Sequence, residues 1–436
     1  MKLCFNAVYM LQRLVASKVV FASSERLFRI GFNAVLGFLI AAKIGPEAYG
    51  ELTLTLSLSA LLCTFNSFGT QHIISASTTK DKLSESFDLL YLSFVFRAFI
   101  SSLIVIAYIL LSKFLHYTFD FVTLFSVLVF LIANTLLASE YMLYAIDEMN
   151  VAIRSRYIAL FFGSTAKLML LLGSYSFSFY LAAYAMENLI LSLLSFVSLG
   201  LIGINIPPLS LRLILQKLPA FIGRSLPLFI QEFCVIAYMK LPVYTLPFFV
   251  GFSELGIFSL ALSFVTALNF LGQAVLNSQI PTMQKIISGI NFKINSLQFI
   301  YKRLLHAFSF ALAVLFALCL GLSFGSFPFL DAYSGVSLLI APLALSLIFV
   351  YFNCADRFIY ISTHRQFLLA KRSLFSLIFA LVVVPLSCKF FGSLGASISL
   401  VLVYLFSTTI ANYIFYRDLS RLHLQAFSFF RRTSIR

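Results

Sequence analysis

Six charged residues sit where charge is expensive. Arg97, Glu140, Lys167, Glu187, Glu232 and Lys240 all fall inside long apolar stretches of the chain. In a bilayer interior each would cost at least about 2.5–3.5 kcal/mol on insertion scales, so such residues face protein or water and often mark a pathway. The cations Lys240, Arg97 and Lys167 suit an anionic ligand, and Lys240, deep in its stretch, is the foremost candidate. The acids Glu140, Glu187 and Glu232 suit a proton or Na+. For each residue the competing role is snorkelling to an interface or a structural ion pair between helices. Arg26, Arg29 and Asn33 follow one another at i, i+3 and i+7, one face of a helix; they offer either a cationic entrance for a phosphate-bearing group or a cytoplasmic anchor. Glu140, Tyr144 and Asp147 share a face by the same spacing.

The elements that must hold these residues follow from composition. Of 436 residues, 61% are apolar and only 11% charged, with a mean hydropathy of +0.99. A soluble domain carries roughly a quarter charged residues, so lipid is the natural solvent here. Apolar runs centre on residues 27–43, 51–75, 88–112, 119–145, 157–174 and 178–203, then on 226–249, 255–280, 304–326, 336–355, 367–387 and 394–416. They predict an all-α polytopic membrane protein of about twelve transmembrane helices. In the seventh run Pro227, Pro242 and Pro247 each remove a backbone donor, which predicts a kinked or broken helix beside a cavity.

The net charge of +15 lies in short clusters between apolar runs and not on one continuous face, which argues against nucleic acid as a partner. Alternate loops collect the cations: Lys80 and Lys82; Arg154 and Arg156; Arg212, Lys217 and Arg224; Lys285, Lys293, Lys302 and Arg303; Arg357, Arg365, Lys371 and Arg372. The opposite loops hold only Lys43, Lys113 and Lys389. By the positive-inside bias both termini are cytoplasmic. Six scattered cysteines and five dispersed histidines support neither a disulfide framework nor a metal site, and no cofactor is expected. Gly45 and Gly50 space like a phosphate loop, but Glu51-Leu52 follow where Lys and Ser/Thr are needed, so ATP hydrolysis is not expected.

An internal repeat organises the spans. Gly45-Pro46-Glu47-Ala48-Tyr49-Gly50-Glu51-Leu52-Thr53-Leu54-Thr55-Leu56-Ser57 aligns without a gap on Gly251 to Ser263, pairing Gly45 with Gly251, Gly50 with Gly256 and Ser57 with Ser263. The offset, 251 minus 45, is an even number of spans, which implies parallel repeats and two six-helix lobes. The lobes are expected at residues 1–210 and 211–417, with a basic cytoplasmic tail at 418–436.

The phrase Ala41-Ala42-Lys43-Ile44-Gly45-Pro46-Glu47-Ala48-Tyr49-Gly50 resembles the first-loop signature of the O-antigen and related polysaccharide flippases (Wzx) of the MATE-like MOP exporter superfamily. Gly392-Ser393-Leu394-Gly395-Ala396-Ser397-Ile398-Ser399 resembles the start of their last span. The resemblance implies a V-shaped, twelve-helix transporter of the bacterial inner membrane with no enzymatic activity. It would move undecaprenyl-pyrophosphate-linked oligosaccharide from the cytoplasmic to the periplasmic leaflet by alternating access, with H+ or Na+ coupling. A polysaccharide polymerase and a chain-length regulator would be its partners. Members often carry an acid in the seventh span where this chain has Tyr238-Met239-Lys240-Leu241-Pro242, which counts against coupling through an acid there. The rivals are a membrane polysaccharide polymerase or ligase, which usually presents a large extracytoplasmic loop, and a multidrug exporter of the same fold. The peptidoglycan precursor flippase usually carries two more spans than this length accommodates.

Overall fold

A chain this apolar has to close its backbone hydrogen bonds within helices, since lipid offers no partner for a free N–H or C=O. The computed structural model describes residues 2–77, 83–114, 121–202, 211–287, 289, 294–324, 333 and 335–428. Among these every helix or strand assigned is a helix. The first half comprises α1 (Lys2–Ser67), α2 (Thr70–Ser77), α3 (Leu83–Phe114), α4 (Phe121–Leu136), α5 (Ala138–Ala145), α6 (Met149–Leu171) and α7 (Phe177–Leu201). The second comprises α8 (Leu211–Phe249), α9 (Phe252–Ala267), α10 (Asn269–Ile287), α11 (Gln298–Phe324), α12 (Val336–Ser362) and α13 (Gln366–Leu405). A π-helical turn over Phe406–Ala411 leads into α14 (Asn412–Phe415) and α15 (Arg417–Ser428).

Nine stretches among the described residues are long and apolar enough to cross a membrane. Two of them, 28–67 and 366–415, turn at Gly45 (φ 82°) and Gly392 (φ 55°), and each therefore supplies two crossings. Helix α6 has 23 residues and is less apolar because it carries Arg154, Arg156 and Lys167. A break at the prolines of α8 is absent: the helix runs without interruption from Leu211 to Phe249. Packed neighbours re-satisfy backbone groups that a proline frees in a membrane helix. Several breaks occur instead at glycines and at the left-handed residues Phe68, Asp147 and His364, and others at right-handed residues such as Leu137 and Leu268.

The chain divides into two compact units, Met1–Leu36 with Leu58–Phe229, and Gly37–Ser57 with Ile230–Arg436. In the first, Ile74, Leu90, Ala138, Met142, Leu143, Ala152 and Leu199 form a buried cluster, and the Phe68 ring stacks on Phe229 at 4.2 Å. In the second, the segment carrying the first copy of the repeat packs on the second copy. A Cβ placed on Gly50 would lie 2.1 Å from the carbonyl oxygen of Phe252, and one on Gly256 would lie 1.9 Å from that of Pro46. Only glycine permits backbones to approach so closely. Tyr333 Oη donates to the Ala41 carbonyl at 2.8 Å and Tyr244 Oη to that of Ser57 at 2.9 Å, so this segment is held along its length.

Gly392 adopts φ 55°, ψ −135°, a conformation that only glycine enters without strain. Substituting Gly392→Ala is expected to lower stability by about 1–3 kcal/mol, read as a drop in the thermal unfolding midpoint of the detergent-solubilised protein.

Candidate functional site

Three polar clusters lie in the first unit. The first joins α1, α5 and α6. Arg29 Nε donates to Glu25 Oε1 at 3.0 Å, Arg156 Nε donates to Glu140 Oε1, and Arg156 Nη1 approaches Glu25 Oε2 at 3.8 Å. Glu25 and Glu140 are buried, whereas Arg29 keeps about a third of its side chain exposed. Arg29 and Glu140, expected in separate roles, thus belong to one network. Arg26 lies on α1, but its side chain is outside the described residues.

The second cluster is an ion pair inside the helix bundle. Lys167 Nζ on α6 lies 2.5 Å from Glu187 Oε2 on α7 and 3.7 Å from the centroid of the Tyr184 ring. Lys167 is fully buried, and glycine at 163 makes room for its partner, since a Cβ there would sit 2.6 Å from Glu187 Cβ. Carboxylate and aromatic face together replace the water the ammonium has lost.

The third is centred on Arg97 of α3, also fully buried. Its Nε and Nη2 donate to Thr70 Oγ1 at 2.9 and 2.8 Å, and Nη1 donates to the Asn134 carbonyl at 2.7 Å. Thr70 begins α2 just after the α1 break, and Asn134 lies near the junction of α4 with α5. The guanidinium fork therefore ties two helix discontinuities together, a task that suits its planar set of donors.

In the second unit Lys240 and Glu232 are both half-buried on α8. Among the described residues Lys240 has no hydrogen-bond or ion-pair partner. One extended network among the described residues of this unit was not legible in the sequence. Asp356 on α12, fully buried, accepts from Tyr301 Oη at 2.7 Å and from Asn412 Nδ2 at 2.6 Å. It also accepts from Arg372 Nη1 at 3.3 Å and faces His423 Nε2 at 2.9 Å. Arg372 Nη2 donates to Asn353 Oδ1, and His423 Nδ1 lies 3.1 Å from the Thr408 carbonyl in the π-helical turn. Arg372, which read as an orientation charge in a cytoplasmic loop, is buried as completely as Asp356. His423, which read as part of a basic tail, is buried on α15.

The two units carry the same cross-hairpin arrangement. Glu140 and Arg156 are 16 residues apart and meet across the α5–α6 hairpin; Asp356 and Arg372, also 16 apart, meet across the α12–α13 hairpin. Each hairpin turns at one left-handed residue, Asp147 or His364. Each guanidinium also lies 5.4 Å from the ring of the tyrosine four residues after the acid, Tyr144 or Tyr360. Acid, tyrosine and arginine are related by one offset of 216 residues (Glu140 to Asp356). The signal is present in the sequence, as an acid with Tyr at i+4 and Arg at i+16, written twice. The third partner differs: Glu25 and Arg29 in the first copy, which stays partly open, and His423 in the second, which is sealed.

No group of three or more His, Cys, Asp or Glu arranged to hold a metal exists among the described residues. No family model and no curated protein match the chain. Solved structures match it over nearly its whole length. An inward-facing multidrug resistance MATE family transporter of the MOP superfamily aligns with a TM-score of 0.62 at 15% identity, covering 93% of this chain and 98% of its own. The lipid II flippase MurJ in an inward closed conformation aligns at 0.60 and 12% identity, covering 95% and 90%. A MOP superfamily transporter from Pyrococcus furiosus, described with a binding pocket of reverse polarity, aligns at 0.52 and 15%, covering 93% and 96%. At these identities the likeness establishes the fold, an all-α multi-pass membrane architecture shared with the MOP superfamily.

Removing one member of a buried pair strands the other charge, at a cost of about 3–5 kcal/mol. Asp356→Asn and Arg372→Met are each expected to destabilise by that amount, and the double variant by much less than the sum. Thermal unfolding of the four proteins measures the coupling.

Proposed function

We propose that the chain is a membrane flippase that carries a lipid-linked, phosphate-bearing oligosaccharide across the bilayer by alternating access. The observation that carries the reading is Lys240. It is a half-buried cation on a membrane-spanning helix with no partner among the described residues, where an uncompensated charge by default marks a ligand or water path. An anionic diphosphate supplies the missing counter-charge, and a point-charge ammonium accepts it in many geometries. Arg29 of the first unit, engaged among the described residues only through Nε, keeps guanidinium donors for an anion, with Arg26 one helical turn before it.

The resemblance of the Gly45–Gly50 loop to the polysaccharide flippases supports an undecaprenyl-pyrophosphate-linked O-antigen unit as the substrate, and the fold is one that a lipid II flippase also has. Within this reading Arg97 and Lys167 extend the positive potential of the first unit, though each already bonds protein groups. Glu187, Glu140 and Glu232 are the acids available to a coupling H+ or Na+. In this reading the protein lies in the bacterial inner membrane with both termini in the cytoplasm, which the bias of the loop charges supports. A second reading, export of cationic or apolar drugs, is favoured by the multidrug transporters of the same fold. It gives an unpaired Lys240 no counter-charge.

Deleting the gene is expected to trap lipid-linked oligosaccharide on the cytoplasmic leaflet. The intact protein should clear it, and Lys240→Ala, expressed at equal level, should not. Clearance by the alanine variant would remove the role of Lys240, and unaltered glycan together with raised drug sensitivity would move the assignment to the drug exporters.

A further inference from the structure

Beside the ion pairs of the first unit runs a partly open groove between α1 and α6. Phe28 and Phe32 form its α1 wall, their rings stacked at 5.7 Å. Tyr157, Phe161, Ser164 and Leu168 belong to its α6 wall, and the groove encloses about 430 Å³. These α6 residues recur at i, i+4, i+7 and i+11, one face of the helix. Phe28, Phe161 and Leu168 are exposed, whereas Ser164 is buried. Phe28 meets Tyr157 at a ring separation of 6.3 Å, so these two residues mark the same end. The hydroxyl of Thr165, which also borders the groove, turns back to the Phe161 carbonyl at 2.8 Å, and that of Ser164 is buried. The groove therefore offers hydrocarbon and not the donors and acceptors that orient a sugar.

Length and charge say what fits it. From Tyr157 to Leu168 the helix advances about 17 Å, close to half of the ~30 Å hydrocarbon core, so the groove is about one leaflet deep. That is the depth of one acyl chain of an ordinary bilayer lipid and much less than a long polyprenyl tail needs. At the Tyr157 end the chemistry changes. Arg154 lies three residues before Tyr157, one turn nearer the start of α6 on the same face. It is exposed and, among the described residues, makes no hydrogen bond or ion pair. Arg156, by contrast, is engaged by Glu140 and Glu25. Arg29, next to Phe28, bonds Glu25 through Nε and adds positive potential at this end. An unengaged cation heading an apolar groove is complementary to an amphiphile with an anionic head, whereas a zwitterionic head brings a cation of its own.

We infer that this groove binds an anionic phospholipid of the surrounding bilayer, with one acyl chain between the Phe28–Phe32 wall and Phe161 and the phosphate on Arg154. The bound chain fills the space between α1 and α6 and joins the two helices from the lipid side. The site does not depend on what the protein transports.

The test is photolabelling of the full chain in detergent. The probe is phosphatidylglycerol with a photoreactive group midway along one acyl chain, and labelled peptides are identified by mass spectrometry. Peptides containing residues 28–32 and 157–168 should be labelled. A single arginine beside an anionic head is worth about a fivefold preference, so unlabelled phosphatidylglycerol should compete at these peptides about fivefold better than phosphatidylcholine with the same chains. Arg154→Gln should bring the two competitors to equality there, while Arg154→Lys should keep the preference. Labelling of other peptides in the same sample, together with an unchanged thermal unfolding midpoint, shows that the variants are folded. Equal competition by the two lipids in the intact protein makes the groove part of the ordinary lipid boundary and overturns the proposal, as does a preference that survives Arg154→Gln or a groove that is not labelled. Undecaprenyl phosphate competing better than phosphatidylglycerol would also overturn it, by giving the groove to a polyprenyl tail.

Discussion

A charge inside a bilayer has to be matched, and most of this fold can be read as the matching. Lipid gives no solvation to an ammonium or a carboxylate, so each buried ion brings a partner from another helix and thereby fixes how the two helices pack. Lys167 sets α6 against α7 through Glu187, and Arg97 ties the start of α2 to the end of α4. Asp356 gathers side chains from α11, α13, α14 and α15 around one carboxylate. Apolar contact alone would not select these arrangements, because lipid tails are as apolar as leucine. Lys240 stands out against this background as a cation that the described protein does not match.

Repetition and divergence are visible together. The acid–tyrosine–arginine set at Glu140, Tyr144 and Arg156 returns at Asp356, Tyr360 and Arg372 with the same helical hairpin and the same ring-to-guanidinium distance. A hairpin of two antiparallel helices with a turn midway between acid and arginine puts the two side chains opposite each other. The copies then took different third partners. In the second unit His423 of α15 closes the network over, and each of its ring nitrogens faces an acceptor. In the first unit the third partner is itself an ion pair, Glu25 with Arg29, leaving guanidinium donors at the surface. One copy is sealed, and the other leaves Arg29 about a third exposed.

The sequence by itself determined the solvent, the fold class and the order of crossings. These depend on local composition, and a window of about 20 apolar residues has few alternatives to a spanning helix. Gly45, Gly251 and Gly392 drew notice in the sequence only as members of the repeat and of the resemblance; their left-handed backbone came from the structure. The candidate charges were legible as individuals, because a lone Lys or Glu in an apolar run is conspicuous. Their pairing was not. Glu187 is 20 residues from Lys167 and Asp356 is 67 from His423, and only the packing of the helices decided which acid met which base. It likewise moved Arg372 and His423 from the surface to the interior, and kept α8 continuous through prolines that local rules would have broken. What a residue is came from the sequence; whether its charge is already answered came from helices arriving beside it, because Coulomb attraction and desolvation depend on distances that the chain order does not contain.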